Sequence, residues 1–435
     1  MGDDDRLGAR NAGQPDPGAV SQEGRALSGP SPACSIERLR WDDPELGSIR
    51  LPKREMRLRA GFGSGLAVRP GDPPGALWAV CDRGPNLKAE TLAEKYGVEL
   101  APEVAAKGAK IMPRPDLGPA LAELRIVGDE IGLVRTIRLT DDSGKPISGL
   151  PMAGSQHARA EPAFDLAGRP LAPDPQGADS EGLIALRDGG FWVGDEYGPS
   201  LMRIDGEGRV VDRWLPVRSD REGISLPAIA GRRQINRGFE ALAISPDERS
   251  LFLAFQSPLA HPDEAAHEQA SHVRLWRLDA SSGAVSAQYL YPLDEPKSFR
   301  RDCEKGPFER GDIKVSEILW AGDEALIVLE RGSETTKLYR VQLDASLAIG
   351  AEHLDVATRP TVEELSGRDS PFPLAVLRKQ LLFNSDDARQ VAADLEGMAW
   401  LSDAQLLLVS DNDFGVEGAE TSFWRLTLPS STSDA

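Results

Sequence analysis

Asp179-Ser180-Glu181-Gly182-Leu183-Ile184, a Gly189-Gly190 turn, Phe191-Trp192-Val193-Gly194-Asp195-Glu196-Tyr197-Gly198 and then Leu201-Met202-Arg203-Ile204 read as three short apolar strands punctuated by turn residues. Such runs are too short for helices and carry the branched and aromatic residues of strands. Asp205-Gly206-Glu207-Gly208, leading into Arg209 to Leu215, signals a fourth strand. The same order returns near the C-terminus. There Asp394-Leu395-Glu396-Gly397-Met398-Ala399-Trp400 leads through a turn to Leu406-Leu407-Leu408-Val409-Ser410-Asp411-Asn412 and on to Phe423-Trp424-Arg425-Leu426. Weaker copies open at Gly63-Ser64-Gly65-Leu66, Gly238-Phe239-Glu240-Ala241-Leu242 and Val315-Ser316-Glu317-Ile318-Leu319.

Repetition of a four-stranded unit predicts an all-β fold: a β-propeller of five or six four-stranded blades with short helical inserts, whose radial closure leaves only short sheet edges. Two β-sandwiches would share the strands but not the recurring dipeptide that opens each unit. The copies start 59, 77 and 79 residues apart from Glu181 through Glu240 and Glu317 to Glu396, and 117 apart from Ser64 to Glu181. That uneven spacing leaves room for long loops or a sixth blade. Helical patterns are confined to inserts such as Leu87 to Lys107 and Leu374 to Leu382.

The 435 residues include 40% hydrophobic side chains, enough for a large core. Fifty Lys and Arg against 69 Asp and Glu give a formal charge of −19. An acidic chain without a polybasic block is not a nucleic-acid binder and suits cations instead. No apolar run reaches the ~18 residues of a spanning helix, and no apolar segment follows Met1-Gly2-Asp3-Asp4-Asp5-Arg6. The chain reads as free of a membrane span and without a signal peptide, cytoplasmic as written and exported if a signal was removed. Cys34, Cys81 and Cys303 are too scattered for a disulfide framework or a zinc knuckle. Met1 to about Ala33 is Gly-, Pro- and Ser-rich and reads as a disordered leader; the domain division is 1–40 leader and 41–430 single propeller.

A hairpin returns its chain to the end from which it started, so the Glu before the first strand and the acid after the second share one rim. The separations from Glu181 to Asp195, Glu317 to Glu330 and Glu396 to Asp411 are 14, 13 and 15 residues. The first strand of each blade lines the axis. Glu181, Glu240, Glu317 and Glu396, with Asp82, Asp195, Glu330 and Asp411, are therefore expected to converge as an acidic ring at the channel mouth. Crowded carboxylates need protons, arginines or a cation. Hard oxygen donors in a roomy ring favour Ca²⁺ over Mg²⁺ or Zn²⁺, with Glu181, Asp195, Glu240, Glu317, Glu396, Asp411 and Asn412 as candidate ligands. The alternative is that these acids cap blade ends by accepting backbone N–H groups, which fits Glu240 better because its partner position reads Gln256-Ser257.

Arg83, Arg233, Arg237 and Arg331 fall at the same level of the repeat and are candidates to clamp a small-molecule phosphate or carboxylate ester, or else to pair with a neighbouring blade's carboxylate. Glu196 and Glu181 are the candidate catalytic residues, Glu196 as a proton relay. Gly63-Ser64-Gly65 is not a nucleophile elbow, because Phe62 precedes it and no strand-to-helix turn follows. His267-Glu268-Gln269-Ala270-Ser271 fails the zincin pattern at Ser271. His261, His267 and His272 read as a solvated polar insert, and His157 as a candidate acid or base.

Asp179-Ser180-Glu181-Gly182-Leu183, Trp192 to Pro199, Asn236 to Asp247, Asp394-Leu395-Glu396-Gly397 and Ser410-Asp411-Asn412-Asp413 together resemble the phytase-like domain family, described as having esterase-like activity. The resemblance covers about Arg57 to Leu428. It implies a propeller and hydrolysis of phosphate or other esters, often in exported bacterial proteins. Ser64-Gly65 departs from the pattern where other blades carry Glu. A Ca²⁺-dependent phosphoesterase is the leading expectation. The alternatives are a Ca²⁺-dependent lactonase or carboxylesterase resembling the gluconolactonase and paraoxonase propellers, with Asp411-Asn412 at the metal, and a non-catalytic ligand-binding propeller.

Overall fold

The computed structural model describes residues 34–105, 108–154, 159–216, 223–367 and 372–429. Five antiparallel four-stranded sheets form the blades. From inside out, blade one is Gly65–Ala67, Ala76–Val80, Ala120–Val127 and Glu130–Arg138. Blade two is Ser180–Ala185, Phe191–Asp195, Ser200–Ile204 and Val210–Pro216, with Ser225–Leu226 added in parallel. Blade three is Phe239–Ile244, Ser250–Phe255, His272–Asp279 and Val285–Pro292. Blade four is Lys314–Trp320, Ala325–Arg331, Thr336–Gln342 and Lys379–Asn384.

Blade five closes the ring. Its inner three strands, Leu395–Ser402, Gln405–Ser410 and Phe423–Thr427, come from the C-terminal end, and its outermost strand is Ser35–Leu39. Residues 35–39, which the sequence division assigned to the leader, therefore belong to the propeller; Met1 to Ala33 lie outside the described residues. The innermost strands contact one another in order round the axis, blade five meeting blade one. Five blades resolve the open count, and the 117-residue gap is filled by inserts carrying the helical turns Ala89–Tyr96 and Pro102–Ala105. The helix expected over Leu374 to Leu382 is absent. Lys379–Asn384 instead pairs as blade four's outer strand, Leu381 against Tyr339 and Phe383 against Leu338. A short apolar run beside a ready sheet edge gains more from ladder bonds and burial than from an isolated helix.

Face-to-face burial between blades supplies the core. Trp78, Leu183, Phe191 and Met202 fill the seam between blades one and two, and Leu329, Met398, Leu408 and Trp424 that between four and five. Leu39, Phe423 and Leu407 pack in the closing seam, where Trp41 meets Phe423 edge-on at 5.4 Å. The inner strands approach closely, and this explains the Gly of the Glu-Gly repeat. A Cβ at Gly65 would lie 2.3 Å from the Glu181 carbonyl oxygen, and one at Gly182 would lie 2.2 Å from that of Glu240. At the far end of these strands the axis widens into an apolar recess of about 280 Å³, lined by Leu183, Leu242, Trp320 and Trp400 among others. The charged groups gather at the opposite end.

If Ser35–Leu39 is the clasp, truncating the buried Leu39 must be felt globally. Leu39→Ala is expected to lower unfolding stability by about 2–4 kcal/mol, read as a lower urea midpoint, whereas Val134→Ala at an exposed position should change it little.

Candidate functional site: an acidic axial mouth

Each inner strand of blades two to five carries a β-bulge near its start, and the bulge decides which side chain faces the axis. In blade three Phe239 pairs with Phe255 and Ala241 with Ala254, leaving Glu240 unopposed. Leu395 with Ser410 and Gly397 with Val409 do the same for Glu396. The shift after the Ser180–Asp195 pair frees Glu181. In blade four Val315 pairs with Glu330 and Glu317 with Leu329, so the freed residue is Ser316. Counting back from the Gly65–Val80 pair places Ser64 there in blade one. The axial positions are thus Ser64, Glu181, Glu240, Ser316 and Glu396. At the same level the second strands contribute Asp82, Glu196, Gln256, Asp411 and Arg331, the last of these paired with Lys314.

Three expected ring members lie elsewhere, because a one-residue offset sends a strand side chain to the other face. Asp195 is the paired residue, not the one beyond it. It is consumed by Arg213 at 2.5 Å, the Ser200 hydroxyl and the backbone N–H groups of Asp179 and Tyr197. Glu330 likewise accepts from the Tyr291 hydroxyl, Lys379 Nζ and the Asp294 N–H. Glu317 sits one residue too far along. It accepts from the N–H groups of Ile318 and Leu242, bridging to the neighbouring inner strand, and is the capping acid that the alternative reading assigned to Glu240.

The remaining glutamates do converge. Glu181, Glu240 and Glu396 each offer an oxygen within 4.8 Å of the others, and Asp82, Asp179 and Glu181 form a second such set. Nothing among the described residues donates to the Glu181 carboxylate. Glu240 Oε2, Ser64 Oγ, Gln256 Oε1, Asp411 Oδ1 and Asn412 Oδ1 are also buried without a hydrogen-bond donor. Asn412 gives its amide N–H to the Ala60 carbonyl, and its Oδ1 flanks Gly61 together with Asp411 Oδ1: a Cβ at Gly61 would lie 2.9 and 3.4 Å from them. Buried acceptors lacking donors are costly, and hard oxygens without a His or Cys among them are the donor set of a cation. The residues present therefore fit a metal ion.

Electrostatics agree. Burial, with Asp179 and Glu396 adding repulsion, pushes the Glu181 carboxyl well above the ordinary range. Burial raises Asp82 to about 6. Burial also raises Glu396, to about 8, outweighing the opposing pull of the Arg331 guanidinium. Asp411 is raised by burial and by Asp413 and Glu396.

Three of the four candidate clamping arginines are engaged internally. Arg83 holds Glu161, Asp179 at 2.9 Å, the Tyr197 hydroxyl and Asn236. Arg233 donates to the carbonyls of Glu196, Gln234 and Arg159. Arg331 donates to Ser316 Oγ, Asp394 and Glu396. Arg237 keeps a buried Nη1 without an acceptor, as Arg83 keeps its Nε. The sequence reading missed two lysines. Burial lowers the pKa of Lys314, beside Arg331, Arg237 and Glu396, and of Lys110, beside Arg83, Glu161 and Asp179. Lys314 occupies in blade four the position of Asp179 and Asp394 in blades two and five, a signal visible once the bulges are aligned. His261 and His267 are buried against the carbonyls of Val356 and Pro258, and His272 meets Ser366 Oγ at 2.7 Å, so this insert is packed structure and not a solvated loop. His157 lies outside the described residues.

Fold and site together define a five-bladed β-propeller with an acidic axial mouth able to hold a cation. The chain belongs to the phytase-like family: a family model described as "Phytase-like: Esterase-like activity of phytase" matches residues 59–414. An uncharacterized secreted protein of Arthroderma benhamiae is 30% identical over 276 residues, which are 53% of this chain and 51% of that protein, so the match spans about half the relative's length. Among solved structures, a PQQ-bound aldose sugar dehydrogenase from Streptomyces coelicolor aligns at 11% identity and TM-score 0.33, over 92% of this chain and 100% of that one. A gluconolactonase from Xanthomonas campestris aligns at 10% identity and TM-score 0.31, over 92% and 99%. No helix among the described residues is long and apolar enough to cross a membrane.

Two outcomes follow from the buried charges. Glu396 titrates near 8 in the fold against 4.5 for a free side chain, so the folded state binds more protons between those values and stability falls as pH rises through them. Chelator-treated protein should melt several degrees lower at pH 8 than at pH 5, and Glu396→Gln should flatten that slope. Asp195→Asn, which breaks a buried pair with Arg213, should cost about 3–5 kcal/mol in urea unfolding while leaving cation binding in place.

Proposed function

We propose that this protein is a Ca²⁺-dependent phosphoesterase acting on a small-molecule phosphate ester at the axial mouth. The observation that carries the reading is the set Glu181, Glu240 and Glu396, with oxygens within 4.8 Å and buried, unpartnered Oε2 atoms on Glu181 and Glu240. These three, with Asp411 beside them, would hold the ion. An all-oxygen, irregular set favours Ca²⁺ over Zn²⁺ or Mg²⁺. Bound there, Ca²⁺ would neutralise charge on the phosphoryl group and make a bound water more acidic.

The chain's own groups supply positioning and proton transfer. Arg237 has an unpartnered buried N–H, and burial, with Arg331 and Arg237 beside Lys314 and Arg83 beside Lys110, lowers the pKa of both lysines. All three suit a dianionic phosphoryl group. Arg83, Arg233 and Arg331 hold the mouth's carboxylates and carbonyls in place. Glu196 Oε1 accepts from the Gly238 N–H, and burial with the Glu240 charge raises its pKa, so it keeps a proton to higher pH than a free carboxylate and is suited to protonate a leaving oxygen. The family's description as esterase-like supports hydrolysis. A lactonase or carboxylesterase reading keeps the ion but gives Lys110, Lys314 and Arg237 no anion to bind.

The test compares p-nitrophenyl phosphate with a γ-lactone, with Ca²⁺ and after chelation. Phosphate turnover that is lost on chelation is expected. Glu181→Gln should lower kcat/KM by about 100-fold or more, and Arg237→Ala should raise KM about tenfold with a smaller change in kcat. Preference for the lactone would favour the second reading, and turnover of neither would overturn an enzymatic role.

A further inference from the structure

We propose that the apolar recess at the far end of the axis is a binding site in its own right, for a small molecule that joins a flat apolar ring to a carboxylate. The recess is a layer of the repeat. Four residues on from the axial positions Ser64, Glu181, Glu240, Ser316 and Glu396 stand Val68, Ala185, Ile244, Trp320 and Trp400, and all five line it. Between this layer and the mouth lie the buried side chains of Leu66, Leu183 and Leu242. They separate the recess from the carboxylates, so its chemistry does not depend on a bound cation.

This layer departs from five-fold regularity in a way that shapes a slot. Both tryptophans fall on adjacent blades, four and five, and the blade facing them across the axis, blade two, carries Ala185, the smallest side chain of the ring. The indoles are held without a ligand: Trp320 stacks on Phe252 at 5.3 Å with 29° between the rings, and Trp400 Nε1 donates to the Trp320 carbonyl at 3.0 Å. Preset aromatic walls spare a ligand the cost of ordering them. An apolar cavity of about 150 Å³ takes up benzene, so the recess, about 280 Å³, has room for one ring and a short tail. Protein interiors are ordinarily filled to near-crystalline density, and apolar walls facing a gap forgo dispersion contacts that a ring would restore.

The rim supplies a partner for the anion. Arg187, two residues beyond Ala185, lines the recess with half of its side chain exposed. Its Nη1 donates to the Pro246 carbonyl, and Glu248, 3.6 Å from that nitrogen, accepts the Arg187 backbone N–H. No described group accepts from Nε or Nη2. Those two nitrogens form an edge of the guanidinium that binds a carboxylate bidentately. Ser245, the remaining polar side chain of the lining, is satisfied: its hydroxyl donates to Asp247 Oδ1 and accepts from the Ser250 N–H. Glu248 beside the open edge disfavours a dianion, so a monoanionic carboxylate fits better than a phosphate.

Calorimetry of the full chain with phenylbutyrate and with its neutral analogue phenylbutanol, in Ca²⁺ and after chelation, tests this. Saturable binding of the carboxylate is expected, unchanged by chelation and weakened about tenfold or more in Arg187→Gln, whereas the alcohol should bind wild type and Arg187→Gln alike. Val68→Trp, at a rim position 40% exposed, should abolish binding of both by filling the slot. Circular dichroism checks that each variant is folded, and Ala185→Leu takes the place of Val68→Trp if the latter is not. Three results would each overturn the proposal: no saturable binding by wild type, binding retained in a folded slot-filling variant, or a carboxylate that binds only with Ca²⁺ and so sits at the mouth. The phosphoesterase reading is judged separately, by turnover.

Discussion

Radial convergence of like charges is the constraint on which the rest of this molecule depends. A propeller brings the first strand of every blade to one axis, so a side chain repeated in the unit is concentrated there whether or not its charge favours crowding. Here the repeated side chain is glutamate, and the inner strands lie so close that a Cβ at Gly65 or Gly182 would overlap the next strand's carbonyl. Carboxylates buried at that spacing oppose folding unless something positive joins them. Two internal arginines, Arg83 and Arg331, provide part of the compensation, and the orphaned oxygens mark where it stops. A bound cation would supply the remainder and would be linked to stability by mass action, about 2.7 kcal/mol at a hundredfold excess over Kd.

That cost is carried by an otherwise conventional scaffold. Aromatic and aliphatic side chains fill the seams between neighbouring blades, and the Ser35–Leu39 strand joins the chain's two ends, so one blade cannot open without disturbing the next. The charged groups that stabilise the fold lie one residue away from the mouth. Asp195 with Arg213, and Glu330 with Lys379, Tyr291 and the Asp294 N–H, are fully satisfied pairs that stiffen individual blades. Alternation along a strand thus separates acids that support the structure from acids left available at the axis.

The same alternation explains what could be read in the sequence. Short apolar runs between Gly- and Asp-rich turns disclosed the propeller, and Glu-Gly disclosed the inner strands, because both patterns come directly from strand burial and close approach. The bulges leave no composition signature, and without them Asp195, Glu317 and Glu330 align plausibly with true axial residues. A spacing clue was nevertheless present: fifteen residues separate Glu181 from Glu196, Ser316 from Arg331 and Glu396 from Asp411, a constancy that the 14, 13 and 15 of the first alignment lack. Lys110 stood outside any such pattern. It reaches the mouth from a long insert whose path is set by tertiary packing.

Departure from five-fold regularity is what makes the mouth usable. Glutamate at all five axial positions would leave a symmetric, overcharged ring with no place for a guanidinium or a ligand. Serine at position 316 leaves room for Arg331, whose Nε bonds its hydroxyl and whose Nη2 reaches Glu396. Serine at position 64 opens the axis next to Asp82 and Asp411, acids that arrive from second strands. Lysine at 314, where two other blades carry aspartate, sets a cation beside Glu240 and Glu396, just as Arg83 and Lys110 stand beside Asp179. Cationic and acidic groups therefore interleave round the mouth, and a repeated unit reaches that arrangement only by breaking its own pattern at positions 64, 314 and 316.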